Sequence, residues 1–466
     1  MKHELIQNNL ACKDRLGWDV VLFFALYVIS PNYCAIELSS RLPLITLSRA
    51  LLMAMFLMLV IRCRRDYLPL RKGMIRRLNL GLTGDRILRW GLLIYFILLA
   101  VCDIAIVPED SGVALKALFV LILESYMLVW LLTLVLDTRE KLLAALRIMV
   151  IASGVTALFS AAGCLCDCNP FHYLNTVQRD MLILPCYRLG LLRAEAGFGH
   201  PVYYGAFCAV IAPINMYFVE NSKMRWEKRL FSACLVMNIV GLVLSNSRGS
   251  MVAFGCLGVL VAFVRILKKE FKSFLLTYFP IGMAMLAILV VVSLASPVGV
   301  AFLEGIFNSL INSLFPGAAP TDTILYGDNA SGMLSRNVQF TGILWTLTQK
   351  PLFGFGSNAH TRGLIYYEWE VGNWVQTDTF DVGLVAIICQ YGIVGLLGYI
   401  ALFGSVAMTV LSKKYRQDPL MYFLMLAFVT YLLCLITISS LDKMLWVLIA
   451  AIVCLVNILR KEESCS

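Results

Sequence analysis

Residues 384–403 read LVAIICQYGIVGLLGYIALF. No charged side chain interrupts these positions, and a helix needs about 20 residues to cross the hydrocarbon core of a bilayer. The run does not alternate apolar and polar residues, as a barrel strand would. In lipid only helices and closed barrels satisfy every backbone N–H and C=O. The stretch therefore predicts a membrane-spanning helix, over about 383–410.

Similar runs recur along the chain. They predict further spans near 18–37, 43–61, 90–107, 114–136, 147–163, 201–219, 230–245, 250–266, 274–296, 420–438 and 443–459. The composition agrees: 60% of the 466 residues are hydrophobic, 15% are charged, and mean hydropathy is +0.81. A soluble domain is about 45–50% apolar and about 25% charged. The expected fold class is an all-α polytopic membrane protein with about 12 transmembrane helices. The first run lacks a small-x-small cleavage site after it and is expected to remain as an anchor.

The net charge of +10 does not imply nucleic acid, because no basic patch interleaved with aromatics appears on a soluble domain. Lys and Arg gather instead in short links between apolar runs. The densest, residues 62–89, carries nine basic residues against two Asp. Such segments stay on the cytoplasmic side. Both termini are thereby expected inside, and the long polar insertion at 297–382 outside. The chain divides into spans one to nine (1–296), this extracytoplasmic loop (297–382), and spans ten to twelve with a cytoplasmic tail (383–466).

The loop holds one His, three basic and seven acidic residues and three Trp. VAFLEGIFNSLINSLF (300–315) has apolar residues at helical spacing and predicts a helix lying flat on the bilayer. SRNVQFTGILWTLTQK (335–350) predicts a second, stopped by Pro351. GFGSN (354–358) then turns sharply, which Gly permits. Trp345, Tyr366, Tyr367, Trp369 and Trp374 suit either sugar stacking or an interfacial aromatic belt.

Chemistry-bearing residues concentrate on the outer face. Arg193, Glu195 and His200 precede span six, Arg248 sits in the tight SNSRG turn, and Arg336, His360, Arg362 and the DTFD cluster (378–381) belong to the loop. Arg248 suits phosphate binding or snorkelling to lipid headgroups. Arg49, Lys116 and Glu124 fall inside spans, where an ionisable group is either functional or paired with another span. Asp103, near a span end, is expected to reach water. CLCDCN (164–169) departs from paired C-x-x-C metal spacing. It suits a disulfide, with Cys186 as one partner, or unpaired thiols. Several Arg on one outer face fit a substrate with phosphates, since the guanidinium fork matches phosphate geometry and stays charged. A polyprenyl diphosphate offers that group at the membrane surface.

Four stretches resemble the superfamily of O-antigen polymerases and O-antigen ligases: RAEAGFGHPVYYGA (193–206), LSNSRGSMVAF (244–254), SRNVQFTGILWTLTQKPLFGFGSN (335–358) and DVGLVAIICQYGIVGLLG (381–398). The third carries Arg336, Trp345, Pro351, Gly354 and Gly356 in the family's order. The fourth carries Asp381, then Gly392, Ile393 and Gly395. The resemblance covers the C-terminal two-thirds. It implies a GT-C-like bundle in the bacterial inner membrane that moves undecaprenyl-diphosphate-linked glycan without metal or cofactor. Arg193, Arg248 and Arg336 would hold the diphosphate; from the residues alone, Arg49, Glu195, His200 and Arg362 are the secondary substrate-binding candidates. Ligases of the family carry His at the start of the fourth motif, whereas this chain has DTFD. That favours a polymerase over a ligase and leaves the base open among His360, Asp378 and Asp381. Membrane lipid, a chain-length regulator and a repeat-unit flippase are the expected partners. A lipid-linked-sugar transporter is the third reading. No pair of Gly/Pro-broken spans in matching halves, the usual mark of inverted repeats, supports it.

Overall fold

The structure is a computed structural model. It describes the chain except residues 1–16, 32, 38–42, 67–81, 178–184, 189–190, 296–303, 306–307, 309–310, 312–335, 378, 440–441 and 466. Most of the expected helix 300–315 thus lies outside the described residues, as does Asp378.

Helices dominate. In chain order they are α1 (Trp18–Ile29), α2 (Leu47–Asp66), α3 (Arg86–Ala105), α4 (Ser111–Val135), α5 (Arg139–Leu165), α6 (Pro201–Asn221), α7 (Arg225–Leu244), α8 (Arg248–Leu267), α9 (Phe271–Ala295), α10 (Thr341–Gln349), α11 (Gly383–Leu411), α12 (Pro419–Cys434) and α13 (Asp442–Cys465). Among the described residues, eight helices are long and apolar enough to cross a membrane: α3–α6, α8, α9, α11 and α13. α1, α12 and the first part of α2 are shorter apolar helices. Each of the twelve apolar runs of the sequence carries one of these elements, with α10 as the exception outside them.

Local chemistry fixes where helices begin. Asp85 accepts the N–H groups of Ile87 and Leu88 at 3.1 Å, and Asp418 caps α12 through Leu420 (2.9 Å) and Met421 (3.2 Å). Asp110 and Thr138 do the same for α4 and α5. Such caps satisfy N–H groups that have no partner within the helix. α6 is the centre of the bundle: 89% of its apolar window is buried, packed against α5, α7 and α12.

Three features depart from the sequence expectations. α11 is not one continuous span. It breaks at Gly392, whose φ of 60° and ψ of −156° belong to a region essentially restricted to Gly. Residues 393–411 alone make about 28 Å of helix, close to the thickness of the hydrocarbon core. Secondly, the loop holds more than short helices. Short antiparallel pairs β1 (Ala35–Ile36) with β2 (Ile45–Thr46) and β3 (Tyr187–Arg188) with β4 (Leu191–Leu192) precede it, and within it β5 (Tyr366–Glu370) and β6 (Asn373–Gln376) form an antiparallel hairpin with an irregularity between Glu368 and Glu370. β-branched and aromatic residues around a Gly372 turn (φ 81°) favour this form. Thirdly, Asp103 does not reach water. It is only 2% exposed, near the end of α3, which packs against α11. Of the two readings of CLCDCN, the unpaired one is realised: Cys164, Cys166, Cys168 and Cys186 are free thiols. Cys164 is buried in α5, and Cys186 Sγ faces Arg193 instead.

Candidate functional site

The turn that follows α12, residues 435–439, touches the starts of three helices. Gly383 N–H, opening α11, donates to Leu435 O (2.8 Å). Gly249 in the first turn of α8 lies so close to Thr437 that a Cβ there would stand 2.2 Å from its Oγ1. Tyr203 in the first turn of α6 bonds Ser439 across 2.9 Å. Three helix N-termini therefore converge, each the positive end of its helix dipole. Such ends favour anions.

The predicted residues sort themselves around this point. Arg248 is the first residue of α8 and is half-buried. His200 caps α6, its Nδ1 accepting the Val202 N–H at 3.2 Å. The residue is exposed, yet enough protein surrounds its imidazole that desolvation lowers its pKa. The Arg193 charge lowers it further, and Asp381 partly opposes this. Asp381 lies just before α11 and exchanges two hydrogen bonds with Gln339. Gln339 Nε2 donates to Asp381 Oδ2 (3.0 Å), and the Asp381 N–H donates to Gln339 Oε1 (2.9 Å). Gln339 is fully buried, and Arg336 lies one helical turn before it, half-buried.

Arg193 has a different surrounding. It is 8% exposed. Its Nε donates to Ser245 O (2.8 Å), its Nη2 to Asn246 O (3.3 Å) and its Nη1 to Cys186 Sγ (3.5 Å). The Ala194 N–H adds a bond to Leu244 O. Arg193 thereby clamps the end of α7 and the turn that carries Arg248. Burial lowers its pKa, offset by Cys186 and Glu195. Glu195 is also buried (4%) and receives His172 Nε2 and Asn169 Nδ2 (2.8 Å) on one oxygen.

Arg49 forms an ion pair with Glu124 (2.7 Å) across α2 and α4. Glu124 lies in a π-helical turn, Leu121–Met127, so the span-to-span pairing is the one realised. His360 packs its ring on Phe380, centroids 4.6 Å apart. The two sit at a small core formed by Phe355, Ala359, Ile365, Tyr367 and the start of α11. Arg362 donates to Phe355 O. Its pKa is lowered by burial and raised in part by Asp110 and Glu109, which places it toward the α3–α4 turn. Trp345 contacts Tyr366 (4.9 Å) and Trp374 (5.4 Å), so these rings cover one another. Trp369 remains 50% exposed.

Sequence reading passed over Gln339, His172, Asn169 and Asn246. Only Gln339 carried a local signal, since it follows Arg336 by three residues and so shares its helix face. The others reach their partners through long-range folding that no spacing encodes.

Residues 233–400 match the family described as O-antigen ligase. The resemblance to the O-antigen ligase and polymerase superfamily holds over that stretch. The match includes Arg248, Arg336, His360, Arg362 and Asp381, and leaves Arg193, Glu195 and His200 outside it. Among curated proteins the chain has no match.

Proposed function

With an O-antigen ligase domain over residues 233–400 as premise, we propose that this chain polymerises a bacterial surface polysaccharide. It does so on the outer side of the inner membrane, in a twelve-span topology with both termini cytoplasmic. The donor is a glycan on undecaprenyl diphosphate. A hydroxyl of the acceptor repeat unit attacks the anomeric carbon of the donor sugar. The C–O bond to the diphosphate breaks, and undecaprenyl diphosphate leaves with the electron pair. Asp381 takes the hydroxyl proton, held in orientation by Gln339. Arg248 and Arg336 bind the diphosphate as charge builds on it. Arg193 acts through the Arg248 turn and does not touch phosphate. A repeat-unit flippase supplies the substrate, and a chain-length regulator limits the product.

One observation carries this reading: three helix N-termini meet at residues 435–439, with Arg248 on one of them and the Asp381–Gln339 pair on another. Dipole ends and guanidinium together suit a diphosphate. The carboxylate beside them suits proton abstraction from a sugar hydroxyl. His360 is the less favoured candidate for the base, because its ring packs on Phe380.

The family description itself favours a second reading, in which finished glycan is transferred to lipid A core or another acceptor. A deletion strain separates the two. A lost polymerase leaves single repeats, and a lost ligase leaves long lipid-linked polymer unattached. Complementing that strain with Arg248→Ala or Arg336→Ala tests the site. Normal chain length in both would sink the arginine assignment.

A further inference from the structure

The aromatic residues of the outer loop take no part in the chemistry proposed above, yet they meet at the β5–β6 hairpin. Trp369 is 50% exposed and Trp374 is 36% exposed. Glu368 pairs across the strands with Trp374, and Glu370 with Asn373. Trp369 stands between these pairs as the extra residue of a bulge. Bulges re-aim a side chain and recur beside active sites. Trp374 is backed by the Trp345 ring, which also contacts Tyr366. Glu370, Asn373 and Gln376 are exposed on the same two strands.

The hairpin is fixed to the residues of the proposed base. Thr377 N–H donates to Ile365 O (3.0 Å) and closes the two strands. Tyr367 Oη donates to Thr379 O (2.9 Å), just before Asp381, and its ring is buried with Phe380, Val382 and Val385. The Glu368 N–H donates to Thr341 Oγ1 (2.8 Å), just after Gln339. The hairpin is thus tied to both strands of chain that carry the Asp381–Gln339 pair. A molecule lying on it is held in fixed relation to Asp381.

Rings and carboxylates in this mixture suit a sugar. A pyranose has an apolar C–H face that covers an aromatic ring, and rim hydroxyls that donate to carboxylate oxygens. A seat in the bilayer calls for other chemistry, because interfacial elements turn Lys and Arg toward anionic headgroups. Residues 363–381 contain no Lys or Arg and carry Glu368, Glu370, Asp378 and Asp381. The same carboxylates repel an acidic sugar.

We propose that the β5–β6 hairpin is the platform for the acceptor glycan. Trp369 and Trp374 stack on its sugars, and the accepting sugar is neutral or bears an amine, not a carboxylate. The assignment rests on the reading of Asp381 as the base for an acceptor hydroxyl.

A deletion strain complemented with Trp369 variants tests this, with polymer scored as the share of repeat units joined in chains. Trp369→Leu keeps an apolar side chain and removes the flat ring. It should lower polymer about tenfold. The full-length variant in nanodiscs should keep its melting temperature and bind farnesyl diphosphate, a stand-in for the donor, as wild type does. Trp369→Phe should restore most of the polymer. If Trp369→Leu does not fold, Glu370→Ala replaces it, since that side chain is exposed, and a fall of about fivefold or more is expected. Wild-type polymer from a folded Trp369→Leu protein, beside single repeats in the deletion strain, overturns the platform alone. Loss in Trp369→Ala at the same time would make the hairpin a bilayer seat. Equal loss of farnesyl diphosphate binding would place the hairpin on the donor and overturn the assignment. Long lipid-linked polymer in the deletion strain overturns the polymerase reading and the acceptor assignment with it. A uronic acid as the accepting sugar, found by linkage analysis of the polymer, overturns the charge assignment.

Discussion

Asp381 and Gln339 satisfy each other twice, through side chain and backbone, so the carboxylate is fixed before any substrate arrives. Asp381→Asn preserves the shape and a polar partner for Gln339 but removes the proton acceptor. Polymer formation should fall by about 100-fold or more, with farnesyl diphosphate affinity within about twofold of wild type. Comparable loss of both would make Asp381 a binding residue. His200 gives a prediction in pH. Its pKa in the folded protein is depressed by burial and by Arg193, so at pH values near and below about 6.5 the unfolded chain takes up the proton more readily. The stability held above that range is then lost as pH falls toward the folded value. His200→Asn should lessen the decline in melting temperature on acidification. An unchanged decline would mean that His200 carries no depressed pKa.

α11 shows how a break in a membrane helix is made tolerable. Around Gly392 the loop segment 351–356 supplies the missing hydrogen bonds. Ile393 N–H donates to Pro351 O (3.0 Å), and Val394 N–H to Leu352 O (3.0 Å). In return Phe355 N–H donates to Cys389 O (3.0 Å), and Gly356 N–H to Gln390 O (2.7 Å). The Pro-Leu-Phe-Gly-Phe-Gly motif and the Gly-Ile-Val-Gly motif are thus two halves of one joint, which ties segment 351–356 to α11. A Cβ on Gly392 would stand 2.5 Å from Leu352 O, in addition to the strained φ. Gly392→Ala should cost about 1–3 kcal/mol from backbone strain alone and lower the melting temperature by several degrees. A melting curve matching wild type would refute the joint. The same loop also pairs Lys350 with Glu109, but these side chains are 32% and 50% exposed. Lys350→Ala should therefore cost less than about 1 kcal/mol.

At the scale of the whole molecule, the proposed topology puts Arg248, Arg336 and Asp381 on one side of the membrane, and this can be checked with thiols. Cys166 and Cys168 are exposed at the end of α5, in a segment assigned to the outer face. In intact spheroplasts a membrane-impermeant maleimide should label Cys166 and Cys168 but not Cys256, which faces outward from the middle of α8. Protection of both Cys166 and Cys168 would invert the topology. The bundle also explains the ion pair of Arg49 and Glu124. Two spans each carry one charge, and pairing makes both tolerable in lipid.

The sequence by itself determined the class of fold, the positions of the twelve apolar runs and the family likeness. These depend on local hydropathy and on short motifs, which any window of the chain displays. It also pointed to Arg248, Arg336 and Asp381 as outer-face residues. Only the tertiary structure decided which charged groups face one another. Arg193 and Arg248 look alike in sequence, each an Arg in a short outer segment. Folding buries the first against Ser245 and Asn246 and puts the second at a helix N-terminus. The break at Gly392 was likewise hidden, because a glycine in an apolar run reads as helix until another segment supplies the bonds that the break releases. Burial and pairing are properties of contacts between distant residues, and those contacts exist only once the bundle has closed around α6.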